Sequence, residues 1–586
     1  MRIGPARAPL AKLTRPAAAD FFPRERLFNL LDQVRKSPAI WILGPAGAGK
    51  TSLVASYLES RRHHSIWYQL DADDADASTF FHYLGIQARA ALGKKGKPLP
   101  HLTPEYLPDL DGFARRYFRD LFGRLAAPFA FVLDNYQEVP ADSTLHRVIG
   151  AALSEMPGSA TAVLLSRSEP PPTLAHWYAN SSVIGWQELR LTRNELAGFA
   201  KSWGYDDPEV LPPLYEVTQG WAAGTVLMLR AHSEGMQVPM LGKESPAAIF
   251  DYFAGEIFAR TSETIRNFLL KTAFLPTMTI ALAEQLTGLR QAGRVLSELN
   301  RNHFFTERRA SAVTTFEYHP LFRDFLLTRA REIYPAHECR QLERRAASLL
   351  EAHGQAEQAV SLYFAAGDLS TATKLILKQA PGLLAQGRQQ TLQGWINAMP
   401  QDTVEASPWL LDWLGACELQ ASPLRARQFL ERAFEGFTEQ HDILGQVLTT
   451  SRVLRTFKHD RSGFAEADPW IATMEKLLVE GRPLLPTEVD FEVLSVLVWI
   501  LFFRQPAHPL YPVWVDRLMK MLDSDVTPDE KVDAGLHLLM YYRMIGNIAK
   551  ADRVVMHIRP LLALPEVRGW IRIWWWAMEA QYRFQL

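Results

Sequence analysis

Gly44-Pro45-Ala46-Gly47-Ala48-Gly49-Lys50-Thr51 meets the spacing G-x-x-x-x-G-K-[ST] at every position. Glycines at 44, 47 and 49 let backbone N–H groups converge on phosphate oxygens where a Cβ would stand in the way. A helix beginning at Lys50 turns the positive end of its dipole toward the same point. On this reading Lys50 reaches the β- and γ-phosphates, and the Thr51 hydroxyl coordinates Mg²⁺. Ser52 follows in the same turn and is counted with the phosphate-binding residues. The chemistry is that of ATP or ADP held with Mg²⁺. The competing reading, a chance Gly-rich turn, is weakened by the apolar run before the loop and the amphipathic segment after it.

Two further positions belong to the same chemistry. Phe129-Ala130-Phe131-Val132-Leu133-Asp134 is an apolar run ending in a carboxylate, which sets Asp134 beside the metal. Asn135 follows, where many hydrolytic ATPases carry an acid that orients the attacking water, so slow hydrolysis is expected; Glu138 lies close in sequence as a substitute acid. Ala162–Leu165 leads into Ser166-Arg167, and an arginine at the carboxyl end of such a strand enters the ligand crevice of an open α/β sheet. Arg167 is therefore either a γ-phosphate sensor or a surface arginine at a turn. Lys50, Asp134 and Arg167 form the expected catalytic set, with Thr51 and Asp134 as metal ligands.

These residues need a parallel sheet to hold them. Between about residues 24 and 190 short apolar runs at Ile40–Leu43, Ile66–Leu70, Phe129–Leu133 and Ala162–Leu165 alternate with helical segments, the pattern of βα units with strands buried on both faces. After Pro170-Pro171-Pro172 the chain turns helical, and Thr192-Arg193-Asn194-Glu195 reads as a capping box. His303–Tyr318 reads as a β-hairpin in which Phe304, Phe305 and Thr306 face Thr314, Thr315 and Phe316. From about 337 onward paired helices recur irregularly, their turns marked at His353-Gly354-Gln355, Ala366-Gly367-Asp368, Ala421-Ser422-Pro423 and Ile545-Gly546-Asn547, each followed by a close-packing alanine. That is a degenerate α-solenoid, and its tail at Trp574-Trp575-Trp576 lacks a polar capping repeat and reads as cut short.

Bulk properties bound the rest. A chain of 586 residues divides into several domains, and its 48% apolar and 22% charged composition is that of an ordinary globular protein. A net charge of -1 gives no global field for nucleic acid. Arg61-Arg62-His63-His64 and Lys94-Lys95-Gly96-Lys97 read as solvated loops. Two cysteines, Cys339 and Cys417, exclude a disulfide framework and fit a reducing cytoplasm. No apolar run reaches the roughly 18–20 residues that span a bilayer, so no membrane contact is expected.

The chain resembles the MalT group of signal-transduction ATPases with numerous domains. The likeness runs in order through Lys12-Leu13-Thr14-Arg15-Pro16, Arg24-Glu25-Arg26-Leu27, the P-loop, Trp67-Tyr68-Gln69-Leu70-Asp71 and Val132-Leu133-Asp134-Asn135-Tyr136. It continues through Leu165-Ser166-Arg167, Val217-Thr218-Gln219-Gly220-Trp221 and Tyr318-His319-Pro320-Leu321-Phe322. The resemblance implies a nucleotide-binding domain at 1–190, a helical domain at 191–255, a winged helix at 256–336 and a tetratricopeptide-like sensor at 337–586. It implies that Arg24 and Arg26 lie by the adenine, with Gly44, Pro45, Ala46, Gly47, Ala48, Gly49, Lys50, Thr51, Ser52 and Arg167 around the phosphates. His319 takes the place of a histidine that holds the domains closed on ADP, or is a core histidine bonded to backbone; both readings stand. Gly220-Trp221-Ala222 departs from the family's Gly-x-Pro against the base.

The function so implied is a nucleotide switch of a bacterial transcription activator. An inducer at the repeats together with ATP opens the chain, which self-associates, and slow hydrolysis resets it. DNA is expected to be contacted only through a domain absent from this chain. The alternative is an immune or scaffold switch that recruits a protein partner. Trp409, Trp413, Trp470, Trp499 and Trp514 either line an inducer pocket or pack between repeat helices.

Overall fold

Four of the apolar runs form parallel strands, each extending a residue or two beyond the sequence pattern: β1 (Ala39–Leu43), β2 (His64–Gln69), β3 (Phe129–Asp134) and β4 (Thr161–Ser166). A fifth, β5 (Ser182–Ile184), completes the order β2-β3-β4-β1-β5. The structure is a computed structural model. It describes residues 11–17, 21–92, 99–202, 204–205, 211–233, 254–255, 258, 261–301, 305–309, 313–460, 463–479, 485–564 and 567–585. Arg2, Arg7, Lys94-Lys95-Gly96-Lys97, Phe304, residues 234–253 of the expected helical domain, and Leu586 lie outside them.

Alternation along the strands builds two cores. Trp41, Ile66, Tyr68, Phe131, Leu133 and Leu164 face one way, against helices α3 (Ala77–Leu92), α4 (Leu110–Arg124) and α5 (Leu145–Ser154). Ile40, Ile42, Trp67, Val132, Val163 and Leu165 face the other, against α1 (Glu25–Val34) and α2 (Lys50–Ser60). Because all five strands run in parallel, Leu43, Gln69, Asp134 and Ser166 end at one sheet edge, with Gln69 registered to Asp134 and Leu43 to Ser166. That edge is where a doubly wound sheet takes its ligand.

Five helices follow: α6 (Ala175–Ala179), α7 (Trp186–Leu189), α8 (Arg193–Ser202), α9 (Leu211–Thr218) and α10 (Ala222–Ser233). The capping box forms as read, with Glu195 N donating to Thr192 Oγ1 at 3.2 Å and Thr192 N to Glu195 Oε2 at 2.9 Å. Beyond lie α11 (Glu263–Thr272), β6 (Met278–Thr279), α12 (Ile280–Thr287), α13 (Ala292–Arg301), β7 (Thr306–Arg309), β8 (Thr315–Tyr318) and α14 (Pro320–Ile333). The hairpin is real but its register differs from the expected one: Thr306 pairs with Tyr318 and Arg309 with Thr315. On its other side β8 pairs with β6, a partner the hairpin's own residues do not reveal.

The contacts divide the chain into two units, Met1–Leu375 with Gln386–Arg388, and Ile376–Ala385 with Gln389–Leu586. The first ends in paired helices, α15 (Ala336–Ala352) and α16 (Ala356–Ala365), whose turn glycine Gly354 has φ 77°. The second is all helical, with pairs such as Pro408–Glu418 and Pro423–Glu439, and Pro528–Met544 and Ile548–Ile558. The alanines read as packing marks, Ala359, Ala372, Ala426 and Ala551, are all fully buried. Of the five tryptophans, Trp413 and Trp514 are buried, and Trp409 packs edge-on against Phe437 at 4.8 Å. Among the described residues no helix is long and apolar enough to cross a membrane.

Candidate functional site

The loop between β1 and α2 takes the shape its glycines permit. Gly47 and Gly49 have φ 72° and 82°, the left-handed region that β-carbon-bearing residues avoid, and Gly49 caps α2. A Cβ on Gly47 would come within 2.5 Å of the Ala223 Cβ, because the start of α10 lies over the loop. Ala223 N donates to Gly47 O at 3.0 Å, and Trp221 Nε1 donates to Ala46 O at 3.0 Å. Thus Gly220-Trp221-Ala222, the departure from the family triplet, clasps the phosphate loop with a buried indole.

Lys50 Nζ donates to Gly44 O at 2.7 Å and Pro45 O at 3.0 Å, folded back on its own loop. Burial pushes its ammonium down to about 8; Asp134 opposes that shift and Arg167 adds to it. Thr51 Oγ1 donates to the Asp134 carboxylate at 3.1 and 3.3 Å, and Asn135 N donates to Asp134 Oδ1 at 2.9 Å. Burial raises the Asp134 carboxyl, while Arg309, the Thr51 hydroxyl, the Asn135 amide and Lys50 pull it back. Residues 44–51 therefore supply a left-handed cradle, a helix N-terminus and a cation short of counter-charge, which fits a polyphosphate. A hydroxyl and a carboxylate in mutual contact fit the ligand set of a P-loop Mg²⁺.

A cavity of about 280 Å³ joins these residues to others far along the chain. Ala46 to Ser52, Asp134, Asn135, Arg167 and Arg24 line it, as do Glu307, Arg309, Glu317 and His319 from the hairpin. His319 follows β8, and its amide donates to Phe305 O at 2.7 Å. Its Nδ1 is buried with no hydrogen-bond partner, and burial with Arg167 and Lys50 nearby pushes the imidazole down to about 4. The His319 amide is tied to the Phe305 carbonyl, and its ring lies edge-on to the Phe305 ring at 5.9 Å.

Other expected residues lie differently. Arg24 lines the cavity, yet its guanidinium donates to Leu189 O at 2.7 Å, Arg190 O at 2.9 Å and Glu195 at 3.2 Å. Arg26 donates to Glu188 O at 2.8 Å and Glu195 at 3.0 Å and is not among the lining residues. Both tie α1 to the capping box of α8. Glu138 is exposed, accepts from Gln137 Nε2 at 3.1 Å and does not line the cavity. Arg167 is exposed at the cavity, its amide donating to Gln137 Oε1 at 3.0 Å. Trp221, Gln69, Glu307 and Arg309 escaped the sequence reading as site residues. The one signal for the last two was the placing of Glu307 and Arg309 at alternate positions of a short strand, on one face of it.

Residues 254–338 match the MalT winged-helix domain. The MalT transcriptional regulator of Cronobacter sakazakii is 28% identical over 416 residues, covering 68% of this chain and 45% of the relative. That of Klebsiella pneumoniae is 26% identical over 457 residues, covering 74% of this chain and 49% of the relative. The crystal structure of a signal-transduction ATPase with numerous domains and a tetratricopeptide-repeat sensor, from Pyrococcus horikoshii, matches with a TM-score of 0.69. It is 14% identical, with 99% of this chain and 82% of that one covered. The chain carries a MalT-type winged helix on a STAND fold. It spans about half the length of the curated relatives it matches.

The winged helix corrects one expectation. DNA contact was assigned to a domain absent from this chain, but the MalT winged helix, a DNA-binding class of domain, lies within it at 254–338. A winged helix was expected at 256–336, but DNA contact was assigned to a module beyond residue 337 rather than to it.

Proposed function

We propose that the chain is the nucleotide-dependent switch of a bacterial transcriptional regulator, with ATP or ADP bound at Gly44–Ser52. The observation that carries this reading is the shared cavity. Lys50, Thr51 and Asp134 wall it from the sheet edge, and His319, Glu307 and Arg309 wall it from the winged helix. Any ligand filling it touches both, so its free energy of binding depends on whether the winged helix is docked. A ligand moves a two-state equilibrium only by such a difference.

In the closed state ADP phosphates would take Lys50 from its own loop carbonyls and approach His319, whose Nδ1 has no hydrogen-bond partner. Thr51 and Asp134 would hold Mg²⁺, which supplies charge neutralisation at the phosphates. Arg167 would meet the γ-phosphate of ATP. An inducer at the helical repeats, together with ATP, would favour the open chain, and open chains would self-associate. With Asn135 in place of a water-orienting acid, hydrolysis would be slow and serve to reset the switch. The domains would run 1–190, 191–255, 256–336 and 337–586, and the setting would be the cytoplasm. The likeness to MalT regulators supports the transcriptional role.

Lys50→Ala tests the site. The variant should lose ADP and ATP binding in calorimetry while keeping its far-UV circular dichroism; unchanged binding would sink the assignment.

A further inference from the structure

Arg309 is placed beside the metal-binding aspartate by contacts that the nucleotide reading does not use. Gln69 and Asp134 are register partners on parallel strands, so their side chains leave the same face of the sheet roughly 5 Å apart. Arg309 Nη2 donates to Gln69 Oε1 at 2.6 Å, which brings the guanidinium next to Asp134. Nη1 donates to Ala11 O at 3.0 Å and Thr14 O at 2.9 Å, and Glu317 pairs with Nη2 at 2.9 Å. The side chain is only 3% exposed. Four groups from three segments thus hold one cation at the edge of the cavity.

The hairpin that carries it is electrostatically strained without it. Glu307 and Glu317 are directly opposite each other on β7 and β8. Like charges so placed repel, and Asp134 adds a third carboxylate to the same cavity. When the hairpin is docked Arg309 faces all three, and Lys50 shares its action on Asp134. A divalent cation held by Thr51 and Asp134 would bring a second positive centre to the same carboxylate and repel Arg309.

We propose that Arg309 supplies the positive charge at Asp134 when the winged helix is docked, so that the closed pocket selects metal-free nucleotide. Metal loading then weakens hairpin docking, and docking weakens metal loading. Arg309 is a specificity-determining residue of the site, and its role rests on the nucleotide reading above.

The test is a titration of fluorescent ADP into the full chain, in EDTA and in Mg²⁺. The wild type should bind more tightly in EDTA. In Arg309→Met the preference should reverse, Mg²⁺ tightening ADP binding by about tenfold, the scale on which one cation acts on an adjacent carboxylate. Arg309→Lys, which keeps the charge, should retain the wild-type preference. Identical metal dependence in wild type and Arg309→Met overturns the proposal and leaves the nucleotide site standing. Absence of ADP binding to the wild type in both media overturns the nucleotide reading, and the proposal with it. Hydrogen exchange of Thr306–Arg309 and Thr315–Tyr318 in the wild-type ADP complex needs no variant: Mg²⁺ should accelerate it, and unchanged exchange counts against the proposal.

Discussion

Lys50 and Glu307 show how unevenly charge is distributed around the cavity. Lys50 is pushed down to about 8 and Glu307 up to about 7, both chiefly by burial; Glu317 and Asp134 add to the second shift and Arg309 opposes it. A carboxyl raised above its ordinary 4.5 favours the folded state fully below that value, and the benefit is lost as pH rises through about 7. Glu307→Gln should therefore stabilise the chain at pH 8 by about 2–3 kcal/mol, and have little effect at pH 4, in urea unfolding. An equal effect at both pH values would contradict it. Asn135→Asp should raise steady-state ATP hydrolysis without tightening nucleotide binding; an unchanged rate would show that the missing acid does not limit turnover. At this scale the P-loop and Asp134 were legible because a contiguous motif fixes its own geometry. Arg309 and Trp221 were not: the first meets Gln69 across 240 positions and the second meets Ala46 across 175, and no local pattern encodes such encounters.

Elements were legible in proportion to their length and apolar content. Strands β1 to β4 are continuous buried runs and stand out; β5, three residues at a sheet edge, and β6, two residues, do not. The hairpin was found but misregistered, since its strand β8 also pairs with β6, a constraint absent from the hairpin's own residues. Packing between α3 and α16 was invisible to periodicity. There Tyr83 Oη donates to Glu357 Oε1 at 2.5 Å, Arg388 Nε donates to Thr79 Oγ1 at 2.9 Å, and Arg388 also pairs with Glu357. Arg388 is 4% exposed, so Arg388→Ala would leave the largely buried Glu357 without its paired guanidinium, held by the Tyr83 hydroxyl. The variant should lose about 3 kcal/mol in denaturant unfolding monitored within the first unit. A loss no larger than that of a surface ion pair would show that the contact does not hold these helices together.

For the whole molecule, the succession of parallel sheet, winged helix and helical repeats was readable from the resemblance, because the P-loop motif, the strand ending in Asp134 and the Tyr318-His319-Pro320 step occur in sequence at family spacing. What the winged helix brings to the cavity was not, since it depends on which side chains the hairpin turns into it. A switch needs binding energy that differs between two states and not rapid chemistry, so turnover should stay below about one per second, under the usual enzyme range. The most direct test of the central claim is the nucleotide carried by the purified full-length chain, extracted with acid and resolved by anion-exchange chromatography. Wild type should carry stoichiometric ADP, released when the chain unfolds, and Lys50→Ala should carry none. A wild-type chain that carries no nucleotide, and takes up none when ADP or ATP is added, would contradict the account.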